Sequence, residues 1–377
     1  MEEQTISAVP ESGSAPKKKK NRKKKIGNKL VSFFGRILVF LLVTVILVVG
    51  ALYGVMYVLI HGPSPAARDL FVRSVNETSA IGFLANLYLP QEEIDAILAK
   101  GNEEPADYQP TNTELIQIPT TPPPEEQTGP QPDAWGYVDE DGDGIIIEEI
   151  KGEGFVGKMM IVLDPSRVIV GTNPKAFGDH GNTVAEIIEN HNGVAGTNAG
   201  GFEDLNGMGN GSEPDSMVVY EGKIYYAAKG NRDGFIGIDS NSILHVGKMS
   251  EDSVKKNNIQ YGVCFGPVLV SNGQPRDLSN TYSGVNPRTA IGQRSDGAML
   301  LLVVDGRQIA SLGATYTDLV DIFMSFGAVN ACNLDGGSSS LMYYQGDYIN
   351  NSNSVVGVRD VATAIVVLPQ KEVSDNG

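Results

Sequence analysis

The 377-residue sequence has little cysteine and little histidine, with two and four residues respectively. So few sulfur and imidazole ligands make a zinc-type site improbable and exclude a scaffold held together by several disulfides. Cys264 and Cys332 both lie in apolar, strand-like stretches. A disulfide between them and a pair of buried free thiols explain the sequence equally well.

The sequence also lacks the motifs of two common enzyme classes. It has no Gly-x-Ser-x-Gly nucleophile elbow and no Walker phosphate-binding loop. No histidine is placed by sequence beside a candidate nucleophile; the four are His61, His180, His191 and His245. The sequence therefore nominates neither a serine-hydrolase triad nor a P-loop.

Positive charge is scarce after the first 36 residues. Residues 1–36 carry ten Lys or Arg against three Glu, a net of +7, and since the whole chain carries −16, the other 341 residues carry −23. An acidic body makes nucleic acid an improbable partner, because the phosphate backbone attracts Lys and Arg. The basic tail is better suited to anionic lipid headgroups beside a membrane segment.

One long run without charge follows this tail. The 24 residues from Ile37 to Ile60 lie between Arg36 and His61, and such a run is long enough to cross about 30 Å of hydrocarbon as a helix. A cleaved signal peptide is the alternative, but its apolar region is usually only about 7–15 residues long. We therefore expect an uncleaved anchor in the cell membrane. The preceding Lys and Arg predict a cytoplasmic N-terminus and an extracytoplasmic body.

The remaining chain divides by composition into three further segments. Residues 61–100 have a helical, moderately amphipathic pattern, which indicates a stalk. Residues 101–133 are rich in Pro, Glu, Thr and Gln, which is typical of a semi-rigid linker. Residues 134–370 read as one folded domain, and the Pro-rich linker predicts that this domain folds alone.

The predicted domain consists mainly of short strands joined by turn signals. Helical patterns with capping boxes occur at Thr183–Asn190 and Thr315–Phe326. Hairpins outnumber crossovers, so we predict an α+β fold with a β-rich mixed sheet and a few helices.

An acidic segment near the start of the domain resembles the first half of a calcium loop. Asp139, Asp141 and Asp143 occupy positions 1, 3 and 5, with glycine at position 6. Position 12 is Ile150, where a calcium loop needs a bidentate Glu. An acidic turn is therefore the preferred interpretation, with calcium as the alternative.

The stretch from Gly327 to Ser340 places a carboxylate beside a glycine-rich turn. Residues 329–334 are predicted to form a buried strand that ends at Asp335, and Gly336 and Gly337 can then adopt backbone angles closed to other residues. Such a carboxylate, followed by backbone N–H groups and hydroxyls, suits an anionic or polyhydroxylated ligand. A tight turn before the next strand is the alternative.

Other stretches repeat this combination of charge and turn. Asp305 follows six apolar residues, Arg288 stands at a strand entrance, Arg359 opens the last strand, and Glu203 and Asp204 lie between glycine-rich loops. Each alone is compatible with a hairpin turn that carries a surface charge. Together they supply a phosphate-binding arginine and acid–base carboxylates, as cleavage of a glycosidic phosphodiester requires.

Several motifs, taken in order, resemble those of the phosphodiester glycosidase family. They are Asn198–Phe202, Phe265–Gly273, Arg288–Gly292, Asp305–Arg307 and Asn333–Ser339. The resemblance covers about residues 150–368. It implies hydrolysis of a sugar-1-phosphodiester, GlcNAc-1-phosphodiester or similar, and in bacteria a place in cell-envelope or exopolysaccharide metabolism.

The resemblance also implies roles for individual residues. Arg288 would bind the phosphodiester, Asp335 and Asp305 would form the catalytic carboxylate pair, and Glu203 or Asp204 could replace either. No metal or other cofactor is implied. The substrate-binding set would be Asn198, Gly200, Gly201, Thr289, Asn333, Gly336, Gly337, Ser338 and Arg359.

The expected function is thus a membrane-anchored phosphodiester glycosidase acting on a sugar phosphate or an envelope polysaccharide. Two alternatives stay open. One is a non-catalytic envelope protein that binds or helps to assemble a glycan, and the other is a glycosyl-phosphate transferase. Asp335 beside a phosphate-binding Arg288 favours the enzyme, because a lectin has less need of that pair.

Overall fold

The structure is a computed structural model. It describes residues 19–77, 81–99, 109–119, 130–173, 175, 177–204, 209–226, 234–278, 281, 284–351 and 357–370. The chain divides into two compact units, residues 1–65 and residues 66–377.

The first unit is dominated by one long helix, α1 (Lys19–His61). Its apolar part, Val31–His61, includes an 18-residue stretch with a mean hydropathy of 2.8, and none of that stretch is buried. The predicted segment 37–60 lies within this part. A helix of this length and composition occurs both as a membrane span and as a signal sequence.

The helices of the second unit are short. Capping boxes begin two of them, with Thr183 and Glu186 at one N-terminus and Thr315 and Asp318 at the other. The helices are α2 (Pro65–Asn76), α3 (Phe83–Asn86), α4 (Gln91–Ala99), α5 (Val184–Asn190), α6 (Glu251–Lys256) and α7 (Tyr316–Ser325), with 3-10 turns at Thr113–Leu115, Pro165–Arg167 and Gly337–Ser339.

Strands make up most of the remaining body. In chain order they are β1 (Ile145–Gly152), β2 (Phe155–Val162), β3 (Val168–Thr172), β4 (Asn182–Thr183), β5 (Ala195–Asn198), β6 (Val218–Tyr220), β7 (Lys223–Tyr226), β8 (Gly234–Asp239), β9 (Leu244–Gly247), β10 (Ile259–Phe265), β11 (Val268–Ser271), β12 (Gln274–Pro275), β13 (Arg288–Arg294), β14 (Met299–Val304), β15 (Ala328–Leu334), β16 (Met342–Tyr344), β17 (Asp347–Tyr348), β18 (Asp360–Val361) and β19 (Thr363–Val367).

These strands form three main sheets and one two-stranded pair. The largest sheet has the order β1-β2-β14-β13-β15-β11-β12, the second β7-β6-β10-β8-β9 and the third β17-β16-β5-β19-β3, while β18 pairs with β4. Every strand pair in the described ranges is antiparallel. The predicted β-rich α+β fold is confirmed, but the prediction of a mixed sheet is wrong for the described residues, because their strands are joined by antiparallel pairing throughout.

Two large apolar clusters stabilise the sheets. One joins all three sheets through fully buried residues such as Met160, Ile291 and Ile365. The other packs α7 on the largest sheet through Leu319 and Phe323, both 0% exposed. The apolar stripe predicted for this helix therefore faces the core, as an amphipathic helix requires.

Segments that precede residue 134 also pack on the strands. Gln117 donates its N–H to the Ser295 carbonyl at 2.7 Å, and Ile116 is buried in a cluster with Ile243 and Val329. The predicted linker thus contains an ordered piece at residues 109–119. Whether the domain folds alone from residue 134 stays a prediction.

The structure decides between the two interpretations of the cysteines. Cys264 and Cys332 are both free and buried. Burial raises the pKa of the Cys332 thiol, and the neighbouring Cys264 raises it further. Both residues therefore behave as small apolar side chains of the core.

Candidate active site

One edge of the largest sheet collects the predicted catalytic residues. In the antiparallel register Arg288 lies opposite Val304 and Thr289 lies opposite Leu334. The start of β13 therefore meets the ends of β14 and β15. This register brings Arg288, Asp305 and Asp335 to the same edge.

The residues from Asp335 to Ser338, here called the Asp335 turn, are fixed by backbone contacts. Asp335 donates its N–H to the Ala199 carbonyl and Gly337 donates its N–H to the Pro287 carbonyl, both at 2.9 Å. Gly337 has φ +63°, a conformation that glycine adopts without strain. Asp335 itself is half-buried, so its carboxylate lies at the boundary between core and solvent.

Asn198 supports this turn from β5. It is 0% exposed, and its Nδ2 donates to the Asp335 carbonyl at 2.5 Å. Its Oδ1 accepts hydrogen bonds from Thr289 Oγ1 at 2.8 Å and from the Leu341 N–H at 3.2 Å. All these polar groups are therefore used within the protein, so Asn198 and Thr289 hold the turn in place in this structure.

Gly200 and Gly201 also lie behind the turn. The Gly200 N–H donates to Thr363 Oγ1 at 2.9 Å. A Cβ at Gly201 would lie 2.3 Å from Asp215 Oδ2, which leaves no room for a side chain. At both glycines, neighbouring side chains occupy the space that a Cβ would need.

Asn333 presents a buried acceptor near the turn. Its Nδ2 donates to the Gly266 carbonyl at 2.8 Å, whereas its Oδ1 is buried and accepts no hydrogen bond from the described residues. Leaving such an atom unsatisfied is costly. A ligand hydroxyl would be a suitable donor.

Arg359 borders the turn on one side. Its Nη1 donates to Ser338 Oγ at 3.0 Å and to Asp204 Oδ2 at 2.9 Å, and its guanidinium lies 5.2 Å from the Phe202 ring centroid. Burial raises the pKa of Asp204, but hydrogen bonds from Arg359 and from the Gly209 N–H outweigh burial and hold that pKa below its ordinary value. Asp204 is therefore an ionised partner of Arg359.

Arg307 borders the turn on the other side. A Cβ on Gly337 would lie 3.3 Å from Arg307 Nη2, so the guanidinium lies directly against the turn. Burial lowers the pKa of Arg307, and the positive charge of Arg288 lowers it further. The Asp335 turn thus contacts two arginines, which can bind an anion through charge and paired N–H donors.

Arg288 lies deeper than expected for a ligand-binding side chain. It is 5% exposed, and its Nε and Nη2 donate to the carbonyls of Ala314 and Gly284 at 3.1 and 2.6 Å. Nη2 also donates to Glu77 at 2.9 Å. Its direct contact with a phosphodiester stays a prediction.

Asp305 is held by a neighbouring loop. Its Oδ1 accepts hydrogen bonds from Asn350 Nδ2 at 3.0 Å and from the Asn351 N–H at 3.1 Å, and the residue is 6% exposed. Of the two predicted carboxylates, Asp335 is therefore the more accessible.

A comparison with known proteins places this sheet edge in a family. Residues 191–368 match the family model of the phosphodiester glycosidases. This match spans 178 residues, slightly less than half of the chain. The predicted resemblance to this family is confirmed.

Curated relatives match over part of their length. An uncharacterised SPbeta prophage-derived protein of Bacillus subtilis is 31% identical over 222 residues, which are 56% of this chain and 32% of the relative. The N-acetylglucosamine-1-phosphodiester alpha-N-acetylglucosaminidase of Bos taurus is 26% identical over 147 residues, 34% of this chain and 28% of the enzyme. The chain thus spans about a third of each relative.

A solved structure shares the fold. The catalytic domain of the zebrafish N-acetylglucosamine-1-phosphodiester alpha-N-acetylglucosaminidase aligns with a TM-score of 0.50 and 20% identity. The alignment covers 60% of this chain and 82% of that domain. The likeness supports a common architecture.

Two residues that contact this region of the sheet were not predicted as site residues. Arg307 was seen only as part of the Asp305–Arg307 motif, although its place beside the strand-end carboxylate was a usable signal. Glu77 was assigned to the stalk, and no local pattern relates it to Arg288, 211 positions away.

The acidic segment holds three carboxylates close together. The ligand oxygens of Asp139, Asp141 and Asp143 lie within 4.8 Å of one another. Asp139 Oδ1 and Oδ2 accept the N–H groups of Gly142 and Gly144 at 3.0 and 2.9 Å. These contacts are those of a hydrogen-bonded acidic turn, and an exposed acidic cluster alone does not define a metal site.

Proposed function

We propose that this chain is a membrane-anchored, extracytoplasmic glycosidase that hydrolyses a sugar-1-phosphodiester in cell-envelope or exopolysaccharide metabolism. The observation that carries the proposal is the Asp335 turn, which lies within the residues that match the phosphodiester glycosidase model. Its half-buried aspartate is followed by Gly337, which lies against Arg307, and by Ser338, which accepts a hydrogen bond from Arg359. The names of the bovine and zebrafish relatives support a substrate such as GlcNAc-1-phosphodiester.

The geometry supports a division of roles. Arg307, Arg359 and Ser338 would hold the phosphate oxygens. Asp335 would transfer a proton or stabilise the positive charge that develops on the sugar. The bond between the sugar C1 and the phosphate oxygen breaks, water supplies the new sugar hydroxyl, and the phosphate leaves as a monoester.

The other predicted residues would act around this centre. Asp305 is the proposed second carboxylate and would act through the oxygen that Asn350 and Asn351 do not contact. Arg288 would add positive charge from beneath the turn. Asn333 Oδ1, which accepts no hydrogen bond from the described residues, would accept one from a sugar hydroxyl.

In the test, the full-length chain is kept in detergent and incubated with UDP-GlcNAc or with a synthetic sugar-1-phosphodiester. The release of free sugar is then measured. Asp335→Asn keeps the shape of the side chain and should lower turnover by about 10²–10⁴-fold, the range for losing a general acid or base. Asp321→Asn, which changes an exposed carboxylate on α7, is the matched control and should retain activity.

Release of sugar that Asp335→Asn leaves unchanged would refute this mechanism. No release across a broad panel would favour the glycan-binding alternative. Transfer of the sugar phosphate to an added alcohol would favour the transferase.

We propose the membrane location from α1 and the basic residues before it. An apolar helix preceded by Lys and Arg favours a cytoplasmic N-terminus, and it would place the phosphodiester glycosidase domain outside. Protease added to intact spheroplasts should digest the domain and spare the basic tail. A domain that survives this treatment would refute the proposed orientation.

A further inference from the structure

Glu77 directly follows α2 and contacts the segment before β13. Its Oε1 accepts the Gly284 N–H at 3.1 Å, and its Oε2 accepts hydrogen bonds from Arg288 Nη2 at 2.9 Å and from Asn286 Nδ2. The Glu77 side chain is only 11% exposed. Its carboxylate is therefore built into the sheet edge described above.

Asn286 connects Glu77 to Arg307. Its Nδ2 donates to Glu77, and its Oδ1 accepts a hydrogen bond from Arg307 Nη2 at 3.1 Å. The opposite orientation of the amide would place Oδ1 against the carboxylate and Nδ2 against the guanidinium, and neither contact could be a hydrogen bond. Asn286 is 3% exposed, so its amide is surrounded by protein. By accepting the hydrogen bond from Nδ2, Glu77 directs Oδ1 of the amide toward Arg307.

Arg307 needs such support for two reasons. Its backbone has φ +57°, an uncommon conformation for a non-glycine residue. Arg288 carries a like charge close enough to lower the pKa of Arg307, while Glu77 acts in the opposite direction. Both the position and the charge of Arg307 beside Gly337 therefore depend on surrounding groups.

We propose that Glu77 is a positioning residue, which holds Arg307 through Asn286 in the place where it binds the substrate phosphate. This inference rests on the proposed function, because it takes the Asp335 turn as the phosphate site. The helical segment after the membrane helix then forms part of the active site and is more than a spacer.

The test measures binding of inorganic phosphate to the full-length chain by calorimetry. Glu77→Gln replaces one acceptor oxygen by a donor, so Asn286 loses its fixed orientation. The Kd for phosphate should rise by about 10–100-fold, the range found when groups that orient ligand-binding side chains around metals are removed. In turnover assays KM should rise more than kcat falls.

Glu93→Gln is the matched control. Glu93 lies in the same helical segment and pairs with Arg68 at 2.8 Å, where it is 41% exposed. This variant should bind phosphate like the original chain. If Glu77→Gln also leaves the Kd of the folded protein unchanged, Glu77 has only a structural role and the inference is overturned.

An opposite result is equally decisive. If Glu77→Gln binds phosphate more tightly, the carboxylate competes with phosphate for Arg288, and the positioning role is wrong. Asn286→Ala provides the milder variant, because it leaves the Glu77–Arg288 pair intact. It should raise the Kd by a similar factor.

The double variant separates the path through Asn286 from a direct effect on Arg288. In the Asn286→Ala background, Glu77→Gln should have much less effect on the Kd than it has alone, because residues that act through one path are not additive. A full additive effect would overturn the path through Asn286. Since phosphate binding needs no turnover, a chain that binds phosphate as expected but releases no sugar would refute only the proposed function.

Discussion

Strand β13 has a buried arginine at each end, and the two ends differ in how the positive charge is balanced. Arg294 is 0% exposed and pairs with two carboxylates, Asp133 and Asp296, each at 2.7 Å. Its guanidinium lies 4.1 Å over the Trp135 ring. These three groups carry more negative than positive charge, and Arg294 is paired within the protein.

At the opposite end the buried arginine has one paired carboxylate. Arg288 pairs with one carboxylate, Glu77, and lies 4.3 Å over the Tyr316 ring. Arg307 adds a second positive charge nearby, as the lowering of its pKa by Arg288 indicates. Two similar buried arginines thus serve different ends of the strand, and the end where the arginine pairs with one carboxylate is the one beside Asp335. The arginines of this end can contribute to the attraction of an anion.

The largest loss of stability should come from removing Glu77 and Asp133, the carboxylates that precede residue 134 and pair with the arginines at the two ends of β13. A chain of residues 134–377 lacks Glu77 and Asp133, and removing one partner of a buried ion pair costs about 3–5 kcal/mol. Because the two sites are far apart, the costs should roughly add. That sum is comparable with the whole stability of many domains, about 5–15 kcal/mol. In urea titrations, we expect residues 66–377 to unfold in one cooperative transition. Under the same conditions, residues 134–377 should already be largely unfolded.

The same experiment tests the predicted domain boundary at residue 134. Equal urea midpoints for the two pieces would contradict the structural argument and support a domain that folds alone from that residue. Adding residues 109–133 back to the shorter piece should restore only the Arg294 end.

A smaller effect is expected from changing one end alone. Arg294→Met keeps the length of the side chain but leaves Asp133 and Asp296 unpaired, and it should lower the free energy of unfolding by about 3 kcal/mol. The folded variant should bind inorganic phosphate normally, because Arg294 lies at the far end of β13. Lys151→Met, which removes an exposed partner of Glu149, should leave the urea midpoint unchanged. Weaker phosphate binding by folded Arg294→Met would show that the two ends are not independent.

The parts of this arrangement that depend on local signals were predictable from the sequence. The capping box at Thr315 marks the start of α7, and the short apolar run after Gly327 marks β15. The strand ends at Asp305 and Asp335 could be located in the sequence, whereas their meeting with the start of β13 is seen only in the antiparallel register of the structure. The family motifs then indicated the chemistry.

The balance of charge at each end was not predictable. It depends on contacts such as Glu77 with Arg288, which lie 211 positions apart, and Asp133 with Arg294, which lie 161 positions apart. Composition assigned both acidic residues to a stalk and a linker, since no periodic pattern marks a long-range ion pair. The same limit explains why the burial of Arg288 was not predicted.

A third buried arginine extends the comparison to the acidic turn. Arg167 is 3% exposed, and its Nη1 donates to the Asp143 carbonyl at 2.6 Å. Asp143 Oδ2 also accepts a hydrogen bond from the Tyr344 hydroxyl at 2.9 Å. Burial raises the pKa of Asp139, although the N–H groups of Gly144 and Gly142 act in the opposite direction. In this turn, as at the Arg294 end of β13, groups of the protein already contact the charged side chains.

The smallest effect is accordingly expected from calcium. A ligand that binds only the native state at 100 times its Kd stabilises it by about 2.7 kcal/mol, so a real site would raise Tm clearly. We expect Tm with millimolar calcium to match Tm with magnesium, because Asp139 and Asp143 already accept hydrogen bonds and residue 150 is Ile, which offers no carboxylate. A saturable rise that disappears in Asp139→Asn would contradict this expectation and make the turn a calcium site. It would also mean that carboxylates already hydrogen-bonded within the protein can still bind an added cation. Pairing within the protein would then not be enough to distinguish the Arg294 end of β13 from the Arg288 end.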